Sequence, residues 1–196
     1  MIKAVLFDAD GVLINGPKFA DHLQNDLHIA PEMTRPFFQG PFKDCLVGKA
    51  DLKEAIAPFL PGWGWNKPID EFIKLWFNVE HHLNEPLLVY IKSLREKGIR
   101  CYVGTNQEKY RSEYMKEFME LKPLFDGFFA SNEIGVCKPE VEFFEFIVDD
   151  LKIQKEQILF WDDTQRNIDA ATNFGIHAEF YLNFEDFRNK TEHHLL

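Results

Sequence analysis

Ile2-Lys3-Ala4-Val5-Leu6-Phe7-Asp8-Ala9-Asp10-Gly11-Val12-Leu13 is the stretch that decides the fold. Its apolar run stops abruptly at two aspartates and a glycine. A short run without polar alternation predicts a strand covered on both faces, as in a parallel sheet between helices. Two aspartates one residue apart, at a strand end where the chain turns on Gly11, can face one centre.

Beyond this strand the pattern breaks off and returns near Pro86. A helix with Pro86 in its first turn sets Leu87, Ile91 and Leu94 on one face, and Gly98 is placed as its left-handed cap. A strand over 99–104 follows, then an amphipathic segment over 107–121. Further strands are predicted over 127–131, 157–161 and 177–182. A helix opened by Pro139, with Val141, Phe144, Val148 and Leu151 at helical spacing, and a helix over 166–174 closed by Gly175 lie between them. Strands alternating with helices predict an α/β, Rossmann-like, doubly wound parallel sheet. In such sheets ligands sit beyond the carboxyl ends of the strands. Asp8 and Asp10, Thr105 and Asn106, and Asp162 and Asp163 each follow a predicted strand, so three separate segments deliver polar groups to one edge.

Residues 16–85 differ in character. Turn clusters such as Gly40-Pro41 and Pro61-Gly62-Trp63-Gly64-Trp65 separate helical patches: Phe19, Leu23 and Leu27; Leu52, Ile56, Phe59 and Leu60; Phe72, Ile73, Trp76 and Phe77. The expected organisation is a core formed by 1–15 and 86–196, with 16–85 as an inserted helical module.

A carboxylate is a usable nucleophile toward phosphorus. A second carboxylate beside it can serve as general acid and then general base. Four acids at one edge repel one another unless a cation sits among them, and Mg²⁺ suits oxygen donors that leave places for water and phosphate. Taken alone, Asp-x-Asp-Gly reads equally well as a surface turn or half a calcium loop; the preceding strand and the downstream acids favour the catalytic reading.

In the order of these motifs the chain resembles the haloacid dehalogenase superfamily. Asp8-Ala9-Asp10-Gly11-Val12-Leu13, Thr105-Asn106, Lys138-Pro139 and Trp161-Asp162-Asp163-Thr164 match its four motifs, over residues 1 to 182. The resemblance implies Asp8 as nucleophile and Asp10 as acid/base. It implies Thr105, Asn106 and Lys138 around the phosphoryl group. Asp8, Asp10 (through its backbone carbonyl), Asp163 and, close by, Asp162 would surround Mg²⁺. Without the other motifs Lys138 is a solvated lysine before a helix, and Thr105 a helix cap.

The presence of Asp10 favours phosphoester hydrolysis over dehalogenation, because the superfamily's dehalogenases do not need that residue. The expected function is a Mg²⁺-dependent phosphatase of a small phosphorylated metabolite such as a sugar phosphate. A phosphomutase of the β-phosphoglucomutase type, a hydrolase of other specificity and a non-catalytic binding protein are the alternatives. The inserted segment matches the superfamily's helical cap. With that placement the chain most resembles the small sugar-phosphate phosphatases and the phosphatase domain of soluble epoxide hydrolase.

Composition agrees. Hydrophobic residues at 45% and charged residues at 28% are those of a folded globular chain, and twenty phenylalanines predict a bulky core. A net charge of −10 argues against nucleic acid and anionic membranes as partners and requires local cations for any anionic substrate. Three cysteines without CxxC spacing, the short first apolar run and no membrane-length segment predict a soluble cytoplasmic protein; a monomer or homodimer is expected, and no residue pattern selects between them. Lys43, Lys49, Trp63 and Trp65 are candidates for substrate contact, though structural use is favoured for each. The pairs His81-His82 and His193-His194 read as surface residues.

Overall fold

The structure, a computed structural model, describes residues 1–195. β1 (Ala4–Phe7) is buried along its whole length and lies at the centre of the sheet. The segment from β1 leads through five short helices, α1 (Phe19–Asn25), α2 (Pro31–Phe38), α3 (Phe42–Leu46), α4 (Leu52–Ile56) and α5 (Ile69–Val79). Then come α6 (Glu85–Glu96), β2 (Arg100–Thr105), α7 (Lys109–Glu117), β3 (Gly127–Ala130) and α8 (Ser131–Ile134). α9 (Val141–Leu151), β4 (Ile158–Asp162), α10 (Gln165–Phe174), β5 (His177–Phe180) and α11 (Phe184–Leu195) complete the order.

The five strands are parallel, in the order β3-β2-β1-β4-β5. Alternation along β1 splits its side chains between two cores. Val5 and Phe7 pack with Leu87, Ile91, Leu94 and Phe187 on one face; Ala4 and Leu6 pack with Phe143, Phe144, Ile147 and Ile168 on the other. Phe7 lies opposite Val103 on β2 and Trp161 on β4. One residue further on, Asp8 and Asp162 therefore leave the sheet side by side, with Thr105 nearby at the end of β2.

Helices α1–α5 share a third cluster around Phe19, Phe37, Phe72 and Trp76. Their segment leaves and re-enters at one point. Ile14 bridges Leu83 in antiparallel fashion, and the buried Asn84 donates to the Val12 carbonyl (2.9 Å) and to Tyr181 Oη (2.7 Å). Among the described residues, no helix is long and apolar enough to cross a membrane.

Several details differ from expectation; β5, for one, ends at Phe180 rather than at 182. Helix α9 begins at Val141 rather than Pro139, and Val141 is exposed while Phe143, Phe144 and Ile147 are buried. The first helical residue lies off the sheet-facing stripe, which the later turns define. β3 stops at Ala130, because Ser131 turns into α8 and its hydroxyl donates to the Leu46 carbonyl (2.6 Å). The C-terminal stretch is helical: Phe187 packs on Phe7 and Trp161, and Thr191 is buried.

Candidate active site

The chain beyond β1 curls on itself. Leu13 and Ile14 N–H both donate to the Ala9 carbonyl (2.9 Å each), and Gly11 sits at φ +85°. A side chain there would be strained, and its Cβ would collide with the Asp163 carboxylate. The glycine thus lets the loop after β1 and the loop after β4 approach closely.

Asp8 Oδ1 accepts from the Ala9 N–H (2.7 Å) and pairs with Lys138 Nζ (2.9 Å). Lys138 also pairs with Asp162 Oδ2 (2.6 Å), and its side chain is 1% exposed. Asn106 fixes this lysine from the backbone: its amide donates to the Lys138 carbonyl (2.9 Å), and its oxygen accepts from the Lys138 N–H (2.8 Å). Asp162 is fully buried, and its Oδ1 accepts from Thr164 N–H (2.8 Å) and Asn167 Nδ2 (3.1 Å).

Electrostatics follow from this burial. Desolvation, with repulsion from Asp162 and Asp10, pushes Asp8 well above the usual carboxylate range despite Lys138. Burial alone would push the Lys138 ammonium down, but Asp8 and Asp162 reverse that and raise it. Asp163 is raised by burial and by Asp162. Oxygens of Asp8, Asp162 and Asp163 all lie within 4.8 Å of one another. Hard oxygen donors at this density, with raised acids among them, fit a divalent cation such as Mg²⁺, which would relieve their repulsion.

Asp10 is half exposed, and its carboxylate accepts from Gln107 Nε2 and lies 3.8 Å from the buried Arg111 guanidinium. That guanidinium also donates to the carbonyls of Phe77 (3.3 Å) and Glu80 (3.2 Å), tying α7 to α5 and the residue after it.

Asp8, Asp10, Thr105, Asn106, Lys138 and Asp163 line one cleft of about 260 Å³, together with Lys18 and Arg166; Asp162 lies beneath it. Three cations therefore face three acids there, which answers how an acidic chain could hold an anion. Gln107, Arg111, Lys18 and Arg166 went unread in the sequence. Gln107 lies before the Glu108 cap of α7 and Arg111 within that helix, so no helical face joins them and no spacing signal was there to read.

Other candidates lie elsewhere. Trp63 donates to the Met33 carbonyl (2.9 Å) and Trp65 to the Pro68 carbonyl (3.3 Å), both structural uses. Lys43 and Lys49 do not line the cleft. His81 bonds Tyr114 Oη (2.8 Å) and His194 pairs with Glu179 (2.9 Å), away from the acids.

Comparison with known proteins agrees with this geometry. The family model of haloacid dehalogenase-like hydrolases matches residues 2–175. Bifunctional epoxide hydrolase 2 of Rattus norvegicus is 25% identical over 89% of the chain, which spans 35% of that protein's length. D-ribitol-5-phosphate phosphatase of Bacteroides thetaiotaomicron is 26% identical over 97% of both chains. A haloacid dehalogenase-family enzyme from Bacteroides thetaiotaomicron, solved with magnesium and inorganic phosphate, superposes with a TM-score of 0.82 at 22% identity, covering 97% of this chain and 99% of that one.

Proposed function

Since the chain belongs to the haloacid dehalogenase-like hydrolases, we propose that it is a Mg²⁺-dependent phosphatase acting on a small phosphorylated metabolite through an aspartyl-phosphate. The observation that carries this reading is the buried Lys138 held between Asp8 and Asp162, with Asp163 alongside and Asp10 at the rim. Phosphoryl transfer is mostly positioning and charge neutralisation, and these are the parts it needs.

In the first step an Asp8 oxygen bonds to phosphorus as the ester P–O bond breaks. Asp10 gives its proton to the departing alkoxide. Water then attacks the aspartyl-phosphate and passes a proton to Asp10, and the P–O bond to Asp8 breaks. Inorganic phosphate leaves, and both aspartates return to their starting states. Gln107 and Arg111 hold the Asp10 carboxylate during both transfers. Lys138 neutralises the charge shared by Asp8 and the phosphoryl oxygens, with Thr105 and Asn106 at the same cleft wall.

The carboxylates of Asp8 and Asp163 and the backbone carbonyl of Asp10 are the residues proposed to hold Mg²⁺, with Asp162 supporting from below. When bound, the ion neutralises charge between the carboxylates and the phosphoryl group. The related structure that holds magnesium and phosphate, and the end-to-end similarity to a ribitol-phosphate phosphatase, support the assignment. We assign residues 16–85 as a cap over a core of 1–15 and 86–196, which keeps bulk water from the intermediate.

A screen of phosphorylated metabolites with Mg²⁺ tests the reading. Wild type should release inorganic phosphate, and Asp8→Asn should not. Equal turnover by the variant would sink the covalent route, and conversion of one phosphosugar isomer to another without free phosphate would make the protein a mutase.

A further inference from the structure

A second cavity of about 540 Å³ opens from the catalytic cleft, sharing Asp10, Gly11 and Lys18 with it. The volume is that of a small-molecule site. Asp10 stands at the junction, where the leaving oxygen must lie if it is the acid. Whatever that oxygen belongs to therefore extends into the second cavity.

The far wall is aromatic: Phe19 of α1, Phe38 at the end of α2, Phe42 of α3 and Trp76 of α5, with Ile14 beside them. The ring faces are locked by mutual packing. Phe19 stacks on Trp76 (5.3 Å between centroids, 10° between planes), and Phe38 and Phe42 meet Trp76 at 5.6 and 5.7 Å.

The polar groups of this wall are already engaged. Glu80 Oε1 accepts from the Phe19 N–H (2.9 Å), and its Oε2 accepts from Trp76 Nε1 (3.0 Å), which uses the indole's one donor. Among the described residues, Asn15 and Lys18 are left as the cavity's polar side chains not engaged within the fold or with Asp10. A leaving group bearing a hydroxyl on every carbon would be desolvated against rings with few partners in reach, and that is costly. An alkyl or aryl body gains by the same burial.

Resting on the phosphatase reading above, we propose that the preferred substrates are monophosphate esters of hydrophobic alcohols rather than of polyols or sugars. The phosphate sits between Lys138, Lys18 and Arg166, and the hydrocarbon lies against Phe19, Phe38, Phe42 and Trp76.

The test is phosphate release by the full chain with Mg²⁺ from ethyl, butyl, hexyl and octyl phosphate, a pentitol monophosphate and acetyl phosphate. The alkyl and pentitol esters are all primary, so intrinsic reactivity is nearly matched. Each fully buried methylene is worth about fourfold, so kcat/KM should rise at least about tenfold from ethyl to hexyl. It should also exceed that of the pentitol ester. In Phe42→Asn the ratio of kcat/KM for hexyl phosphate to that for acetyl phosphate should fall about tenfold. A flat alkyl series, or a pentitol ester turned over as well as hexyl phosphate, would overturn the substrate class and leave the phosphatase reading standing. No phosphate release from any of these esters or from acetyl phosphate would overturn both.

Discussion

Asn106→Ala is the substitution that most sharply separates positioning from direct binding. The side chain makes two hydrogen bonds to the backbone of Lys138, at 2.9 and 2.8 Å, and Lys138 is 2% exposed. Each bond is worth about 1 kcal/mol, and truncation leaves a buried N–H and a buried carbonyl without partners, which raises the loss to roughly 2–4 kcal/mol. For a chain of this size, about 2–4 °C per kcal/mol, the melting temperature should fall by roughly 4–16 °C. Catalysis should suffer as well, because the Lys138 ammonium is aimed at Asp8 from this backbone. A displacement of about 1 Å costs on the order of a hundredfold in rate. Asn106→Asp keeps the acceptor for the Lys138 N–H but loses the donor to its carbonyl, so it should fall between wild type and Ala. Thermal unfolding by circular dichroism and phosphate release from acetyl phosphate read both effects. A melting temperature unchanged within about 2 °C, with the loss confined to KM, would refute the positioning role. Asn106 would then contact the phosphate itself.

Two further outcomes follow from the charges. Burial, chiefly, with help from Asp51, lifts Glu108 from an ordinary value of 4.5 to about 7, against the pull of the Tyr110 and Arg111 N–H groups. Its folded-state value lies above its unfolded one, so the folded state favours the proton. That contribution is whole below about pH 4.5 and is lost as the pH rises through about 7. The stability of wild type relative to Glu108→Gln, from urea unfolding, should therefore fall by about 2–3 kcal/mol between pH 5 and pH 8; a pH-independent difference would contradict the shift. Mg²⁺ at about a hundred times its dissociation constant should stabilise wild type by about 2.7 kcal/mol. At one fixed Mg²⁺ concentration the shift should be larger at pH 8 than at pH 5.5, because the raised Asp8 and Asp163 bind protons in competition with the ion. Asp163→Asn should remove the shift, and an undiminished one would move the ion elsewhere.

The middle of the sheet was legible because β1, β2 and β4 are short, largely apolar runs that end at Asp8, Thr105 and Asp162. Period-two alternation in β1 even separates the two cores, with Val5 and Phe7 on one side and Ala4 and Leu6 on the other. The convergence of Asp8, Thr105 and Asp162 followed from strand ends alone. What could not be read depends on approach between distant segments. Asn106 meets the Lys138 backbone only because the loop before α9 folds back over the end of β2. Arg111 meets Glu80 because α7 packs under the residue that follows α5. The aromatic wall draws single residues from α1, the end of α2, α3 and α5, and no spacing within one helix reveals which ring borders a cavity. Val141 shows the same limit in miniature: helical spacing gives a face, and only packing shows where that face begins.

The most direct test of the central claim is acid quenching during steady turnover with Mg²⁺, followed by peptide mass spectrometry. One phosphoryl group should be found on Asp8, absent from Asp8→Asn, which should also release no phosphate. Sustained phosphate release by Asp8→Asn, or a phosphoryl group trapped on another residue, would contradict it.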